Sequence, residues 1–305
     1  MNDAILVDHL RFRYKERVAL NNISFSVRDG EIFGLLGPNG GGKSTAFRIL
    51  CTFLLPESGT VRIRGYDVAT EADQIRKKIG VVFQAGSLDR KLTVLENMKH
   101  QGHLYGLKGE FLSDRISALL ARFGIADRAG DLIETLSGGL RRRVEVAKAI
   151  LHQPSLLLLD EPSTGLDPSV RLDLWNLLRE LQQQENVTVL LTTHFMEEAE
   201  RCDRLAVLDQ GSLITVGTPD ELKQAVGGEV VTIQSKSVDL VCALLQRSFG
   251  LPSTVINDSV RIELADGRQW VPKILEKFSD QIDSITIGKP TLEDVFIHYT
   301  GHRLE

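Results

Sequence analysis

The chain has little of what marks secreted, membrane-spanning or nucleic-acid-binding proteins. Its three cysteines, Cys51, Cys202 and Cys242, lie far apart, without the spacing of a metal site, a redox pair or a disulfide framework. They are expected to be buried, reduced thiols, which suits a cytosolic compartment. No uninterrupted apolar run approaches the roughly 20 residues of a membrane span, and Leu156 to Leu159 reads only as the core of a buried strand. The stretch from Met1 to Leu10 has no basic region followed by a long apolar core, so no secretory signal is read there. Basic charge is not in excess: 36 Lys and Arg stand against 41 Asp and Glu, a net charge of −5. That balance predicts no nucleic-acid partner, and the Arg141-Arg142-Arg143 cluster reads as a solvated helix face. No internal repeat is visible, so a single nucleotide cassette is expected.

What is there is an ordinary globular composition, 42% hydrophobic and 25% charged, over a length that suits one large or two modest domains. Residues 4–33 alternate apolar and polar positions with turns expected at Asn21-Asn22 and Asp29-Gly30, the pattern of an antiparallel sheet. Thr60 to Ile63 and Ile79 to Phe83 are strand-like, and from Val94 to Phe123 the period becomes helical. A helix from Leu140 to His152 should stop at Gln153-Pro154. Leu156 to Leu159 and Val187 to Thr192 read as buried parallel strands flanking a helix around Val170 to Gln184, which gives an α/β fold. After the short helix Glu221 to Val226, Gly227-Gly228 is the best linker. The chain is therefore divided into residues 1–226 and 227–305, the second a small α+β domain with no visible catalytic cluster.

The most informative segment is Gly37 to Thr45, Gly-Pro-Asn-Gly-Gly-Gly-Lys-Ser-Thr. It fits G-x-x-x-x-G-K-[ST] between the apolar run Ile32 to Leu36 and the helix-compatible run Ala46 to Leu50, the context this motif requires. Gly37, Gly40, Gly41 and Gly42 let the backbone, with Pro38 and Asn39, turn its N–H groups around phosphate oxygens at a helix start. Lys43 would reach the terminal phosphates and the Ser44 hydroxyl would sit on Mg²⁺, with Thr45 closing the loop. Spacing and flanks together weigh against a plain glycine-rich turn.

A phosphate loop alone leaves kinase, GTPase and transport ATPase open. Leu136-Ser137-Gly138-Gly139 opens a helix, offering a hydroxyl, free N–H groups and a positive dipole end suited to phosphate. Further on, the apolar run Leu156 to Leu159 ends in two adjacent acids. Asp160 is placed to hold Mg²⁺ through water, and Glu161 to align and deprotonate an attacking water.

With Ser163-Thr164-Gly165-Leu166-Asp167, Gln84 after Val81-Val82-Phe83, and His194 closing Leu191-Thr192-Thr193-His194, the chain resembles the ATP-binding subunit of an ABC transporter over residues 4 to about 220. The resemblance implies a P-loop NTPase: a RecA-like core, an antiparallel β-subdomain, and a helical subdomain near residues 85–155. It implies that two copies dimerise head to tail around two ATP. It assigns Tyr14 to stacking on adenine, Gln84 to Mg²⁺ and the attacking water, His194 to the γ-phosphate, and Asp167 to a loop crossing the dimer interface. Ser137, Gly138 and Gly139 would complete the ATP cage of the facing copy. As isolated residues, Tyr14 would be a sheet-edge tyrosine, His194 a core histidine and Asp167 a helix cap. His9, His100, His103 and His152 show no partner pattern and are expected to be ordinary surface or core residues.

Two positions depart from the family pattern. Gly41 stands where alanine is common, at some extra entropic cost of ordering. Leu140 takes the place of the usual glutamine after the signature, although Ser137 and the Gly138-Gly139 backbone remain, so activity is expected to persist. Leu140, the segment Thr193 to Glu200 with Cys202-Asp203-Arg204, and the tail Lys289 to Phe296 followed by His298-Tyr299-Thr300-Gly301 resemble the daunorubicin-resistance-type branch, which works in drug export. That branch implies a separate integral-membrane permease, which would hold this chain peripherally at the cytoplasmic face of the cell membrane. The permease contact is placed between Ala85 and Tyr105, where Leu88, Leu92, Val94, Leu95 and Met98 fit a helical-subdomain core equally well. A soluble ABC ATPase of translation or DNA repair would typically carry tandem cassettes or long coiled-coil insertions, and neither is seen. A non-hydrolysing, nucleotide-gated regulator would not need Glu161, Gln84 and His194 intact.

Overall fold

Burial alternates along β1 (Asp3–Tyr14) and β2 (Arg17–Arg28), as strands with one face on a core require. By contrast β3 (Ile32–Leu36) is buried at every position. Residues 3–304 are described by this computed structural model. After α1 (Lys43–Leu50) come β4 (Ser58–Ile63), β5 (Tyr66–Asp67), α2 (Ala72–Arg76) and β6 (Ile79–Val82). The first sheet is antiparallel, in the order β2-β1-β4-β5. No turn forms at Asn21-Asn22: β2 runs through them, with Asn22 absorbing an irregularity at φ +57°, and the reversal falls at Lys15-Glu16 instead.

The helical subdomain follows as α3 (Val94–Leu104), α4 (Gly109–Arg122) and α5 (Gly138–Ala149). Helix α3 starts at a capping box, in which Thr93 accepts from the Glu96 N–H and Glu96 answers the Thr93 N–H. Val94 and Met98 are fully buried with Leu112, Ile116 and Leu119 of α4, so they are core rather than free surface. The chain continues through β7 (Leu156–Asp160), α6 (Pro168–Glu185), β8 (Thr188–Thr193), α7 (Met196–Ala199), β9 (Arg204–Asp209), β10 (Ser212–Gly217) and α8 (Pro219–Val226). The central sheet has the order β10-β9-β3-β8-β7-β6 and is parallel except at the β10 edge. Its strands are covered on both faces. In β7, Leu157 and Leu159 join the core under α5 and α6, while Leu156 and Leu158 join the core shared with α1 and the first sheet.

The last part comprises β11 (Glu229–Gln234), α9 (Val238–Phe249), β12 (Thr254–Ile256), β13 (Ser259–Leu264), α10 (Gly267–Phe278), β14 (Ser284–Gly288) and α11 (Leu292–Thr300). Its antiparallel sheet, β12-β13-β11-β14, has its own core with α9 and α10. Helix α11 instead returns to the first part: Leu292, Val295 and Phe296 pack with Ala199, Leu205, Val207 and Leu222.

Two expectations about side chains need correction. Arg142 is buried rather than solvated, and Arg143 ties α5 to Asp173 of α6 at 2.6 Å. Three consecutive residues span some 200° of a helix, so a run of arginines cannot all face water on a packed helix. Cys51 and Cys202 are buried and unpaired, but Cys242 is only half-buried. Among the described residues no helix is long and apolar enough to cross a membrane.

Candidate active site

The site lies where the carboxyl ends of β3, β6, β7 and β8 meet, the edge of an open α/β sheet at which ligands bind. Leaving β3, the Gly37 N–H donates to the Thr193 carbonyl at 3.3 Å. A Cβ on Gly37 would collide with the Leu208 carbonyl of β9, so the approach of the two strands requires glycine. Gly42, at φ +105°, is the N-cap of α1 and supplies no side-chain cap. The first N–H groups of α1 therefore lack a capping side chain, and an anion at this positive helix end is the partner the geometry suits.

Lys43 is buried and donates to the Gly37 and Pro38 carbonyls at 2.7 and 2.9 Å, with Glu161 Oε1 3.7 Å away. Burial holds its pKa below the usual lysine range, opposed by the nearby Glu161 and Asp160 carboxylates. Asp160, the last residue of β7, is raised in pKa by burial, opposed chiefly by the Thr192 hydroxyl, which donates to its Oδ1 at 2.6 Å. The same hydroxyl accepts the Glu161 N–H at 2.9 Å, so one side chain of β8 orients both acids. Glu161 has φ +44°, a left-handed conformation that costs a non-glycine residue energy and recurs at functional sites. Its Oε2 accepts from Gln84 Nε2 at 3.0 Å and from the Thr164 hydroxyl at 3.2 Å. His194 Nδ1 lies 3.4 Å from that oxygen without hydrogen-bond alignment, and it is a buried nitrogen with no partner.

A pocket of about 440 Å³ runs from Tyr14 and Arg17, along the loop from Pro38 to Thr45, to Glu161. Tyr14 is 41% exposed and meets Phe12 edge-on, with ring centroids 4.9 Å apart. A larger cleft of about 920 Å³ shares Arg17 and Pro38 to Gly40 with it, and extends to Asn257 and the tail at Gly301 to Arg303. Chemistry points to the smaller one, because Lys43 and Glu161 line it.

Ser137, Gly138, Gly139 and Asp167 are not brought into this pocket. They sit at the starts of α5 and α6. Ser137 caps α5, accepting the Leu140 N–H at 3.3 Å, and Asp167 is an exposed N-cap that makes no side-chain cap bond. A Cβ on Gly139 would fall 2.6 Å from Val170 Cγ1, so glycine lets these two helix starts stay close. Leu140 packs on the helical-subdomain core, an apolar role that glutamine would fill less well.

Several residues that matter here carried no sequence signal. Thr192 was hidden in an apolar strand, although a hydroxyl at a buried strand position needs a partner and could have been flagged. Arg142 donates to the Phe83 carbonyl at 2.9 Å and to Glu145 at 2.7 Å, and Glu145 in turn accepts the Ser87 N–H at 3.1 Å. Together they pin both sides of Gln84 to the signature helix. For a metal, the Ser44 hydroxyl, the Asp160 carboxylate and the Gln84 amide oxygen would offer a hard, all-oxygen donor set. That set suits Mg²⁺ sharing its coordination with phosphates.

This geometry agrees with known proteins. The ABC transporter family model matches residues 20–164, and that of the ATP-binding protein DrrA1-3-like, C-terminal domain, matches residues 217–300. The daunorubicin/doxorubicin resistance ATP-binding protein DrrA of Streptomyces peucetius is 38% identical over 95% of this chain and 90% of its own. The linearmycin resistance ATP-binding protein LnrL of Bacillus subtilis is 34% identical over 97% of this chain and 98% of its own. Among solved structures, cbiO1 of Clostridium perfringens, part of an ABC transporter complex, matches with a TM-score of 0.68 and 26% identity. That match covers 82% of this chain and 97% of cbiO1. A dimeric ATP-binding cassette in a post-hydrolysis state with ADP and Pi matches with a TM-score of 0.64 and 28% identity, over 70% of this chain and 98% of that one. The phosphate loop, the paired acids at the end of β7 and relatives that run nearly the full length together place this chain in the family of ABC transporter ATP-binding proteins, as an ATPase homologous to its drug-resistance and export members.

Proposed function

We propose that two copies of this chain close head to tail around two ATP and hydrolyse them to power export through a separate membrane permease. One observation carries this reading. Tyr14, the loop Gly37 to Thr45 and Glu161 converge, whereas Ser137, Gly138, Gly139 and Asp167 stand exposed or half-exposed at helix starts outside that pocket. Each copy then supplies one half of the cage, and the facing copy supplies the other.

In this arrangement Tyr14 stacks on the adenine, and the α1 N-terminus with Gly40, Gly41 and Gly42 binds the phosphates. Lys43 exchanges its contacts with the Gly37 and Pro38 carbonyls for the terminal phosphates. Ser44, Asp160 and Gln84 would hold Mg²⁺, and the ion would supply charge neutralisation to the phosphates. Glu161 takes a proton from the attacking water as its oxygen bonds to the γ-phosphorus, and the bond to the bridging oxygen of ADP breaks. Gln84 and Thr164 fix the carboxylate for that role, and His194 faces the γ-phosphate.

Exposed Phe53 stacks on Phe83, with centroids 5.4 Å apart, right beside Gln84. This aromatic pair would extend the permease contact expected between Ala85 and Tyr105, since occupancy there would be felt at Gln84. Docking would hold the chain at the cytoplasmic face of the membrane. Residues 227–305 act as an accessory unit, linked to the first part through α11 and bordering the phosphate loop at the larger cleft. Phosphate release measured against protein concentration tests the composite site: specific activity should rise with concentration, and a constant value down to the lowest dilution would refute it.

A further inference from the structure

Helix α6 starts at Asp167, the residue that the two-copy arrangement turns toward the facing subunit. One turn on, the Arg171 N–H donates to the Asp167 carbonyl at 2.9 Å, so Arg171 moves with that loop. Its side chain leaves α6 to lie over Phe195, with the guanidinium carbon 4.5 Å from the ring centroid. Phe195 is next to His194, and the two rings are 4.1 Å apart at 40°. Phe195 is held from behind: its N–H donates to the Thr193 hydroxyl at 3.0 Å, and that hydroxyl donates to buried Glu198 at 2.6 Å. A continuous set of contacts thus runs from Asp167 through Arg171 and Phe195 to His194, beside Glu161.

The stack on Phe195 is what orients Arg171. Its other contact, Glu197 at 3.6 Å, has a carboxylate 84% exposed, and such a pair is weakened by solvent. Arg171 Nε is buried with no hydrogen-bond partner. Beneath it lies a cavity of about 210 Å³, also lined by Trp175 and Glu198. Trp175 Nε1 and Glu198 Oε1 are likewise without partners. The indole N–H is itself a donor, so Glu198 Oε1 is the acceptor that gives Arg171, with the room of the cavity, a second setting when the start of α6 shifts.

We propose that Arg171 is a positioning residue that couples the interface loop at Asp167 to the orientation of His194, acting through the Phe195 ring. It touches neither nucleotide nor water. When the facing copy engages Asp167, the shift of the α6 start passes through the stack of Arg171 on Phe195, already present in the single chain, and sets the imidazole toward the γ-phosphate. The inference rests on the two-copy ATPase reading above and adds the route by which the interface reaches the reacting centre.

The test is steady-state ATPase kinetics on the full chain with Arg171→Ala, Arg171→Lys, Phe195→Leu and the Arg171→Ala/Phe195→Leu pair. Arg171→Ala should lower kcat about five- to tenfold while the KM for ATP stays within about twofold, a size typical of residues along a coupling route. Arg171→Lys, which keeps a cation over the ring, should recover about half of the wild-type kcat. Phe195→Leu should lose as much as Arg171→Ala, and the double variant no more than either single one. Wild-type kcat in a folded Arg171→Ala, or losses that multiply in the double variant, would overturn the proposal. Should Arg171→Ala not fold, Arg171→Lys and Phe195→Leu decide it: a Phe195→Leu enzyme with full kcat refutes the route. A wild-type chain without ATPase activity would instead sink the underlying function.

Discussion

Replacing His152 with glutamine should remove an acid-sensitive part of the protein's stability. His152 follows α5, and its ring stacks on Tyr105 at 3.7 Å with an interplanar angle of 11°. Its Nε2–H donates to the Ile79 carbonyl at 3.0 Å, while Nδ1 is buried with no partner to accept a proton's bond. Burial pushes the pKa from its ordinary 6.5 down to about 4, with the Ile79 bond opposing. The folded state thus favours the neutral ring. Above the unfolded value both states are neutral and the contact contributes in full. As pH falls from 6.5 toward 4, the unfolded chain takes up a proton that the folded chain refuses, and stability is lost. Between about pH 7.5 and about pH 5 these two values give a loss of about 2 kcal/mol. His152→Gln keeps an amide donor for Ile79 and does not titrate. Urea unfolding at a series of pH values should show wild type and variant diverging in slope across this window. A difference between them that stays constant from neutral to about pH 5 would refute the reasoning. The site matters because this stack joins the end of α3 to the root of β6, the strand that leads to Gln84.

Two other substitutions probe the catalytic end. Thr192→Val keeps the shape of β8 but removes the hydroxyl shared by Asp160 and the Glu161 N–H, and should cost about 1–3 kcal/mol of stability together with most of the ATPase rate. Denaturant unfolding and phosphate release check it, and an unchanged rate would separate Thr192 from the acids it touches. Lys43→Ala removes charge-assisted bonds each worth about 1.5–3 kcal/mol, so ATP affinity should fall by about 10- to 100-fold in equilibrium binding.

The motifs were legible because backbone geometry dictates them. Gly37 is required by the nearby Leu208 carbonyl and Gly42 by a positive φ, and both needs fall at fixed spacing around Lys43. The run Leu156 to Leu159 was readable as a strand buried on both faces, and Pro154 marked the end of the preceding helical segment. What stayed hidden depends on partners distant in sequence. Arg142 looked like a member of a solvated cluster until Phe83 and Glu145 were seen around it. Asn21-Asn22 read as a turn because asparagine favours turns, but pairing with β1 carries the strand through. Nothing local could show that α11, at the end of the chain, packs against Leu205 and Leu222. Nor could spacing show that Ser137 and Asp167 would lie outside the pocket that holds Lys43.

The central claim is a composite ATPase site closed by two copies, with Glu161 as the base. Glu161→Gln is the most direct test, because it keeps the shape while removing the proton acceptor. With Mg²⁺ and ATP, light scattering during size exclusion should show the variant as a dimer that reverts to monomer in ADP, with turnover lowered about 10²- to 10⁴-fold. A variant that hydrolyses ATP at nearly the wild-type rate, or that binds ATP yet stays monomeric, would contradict the account.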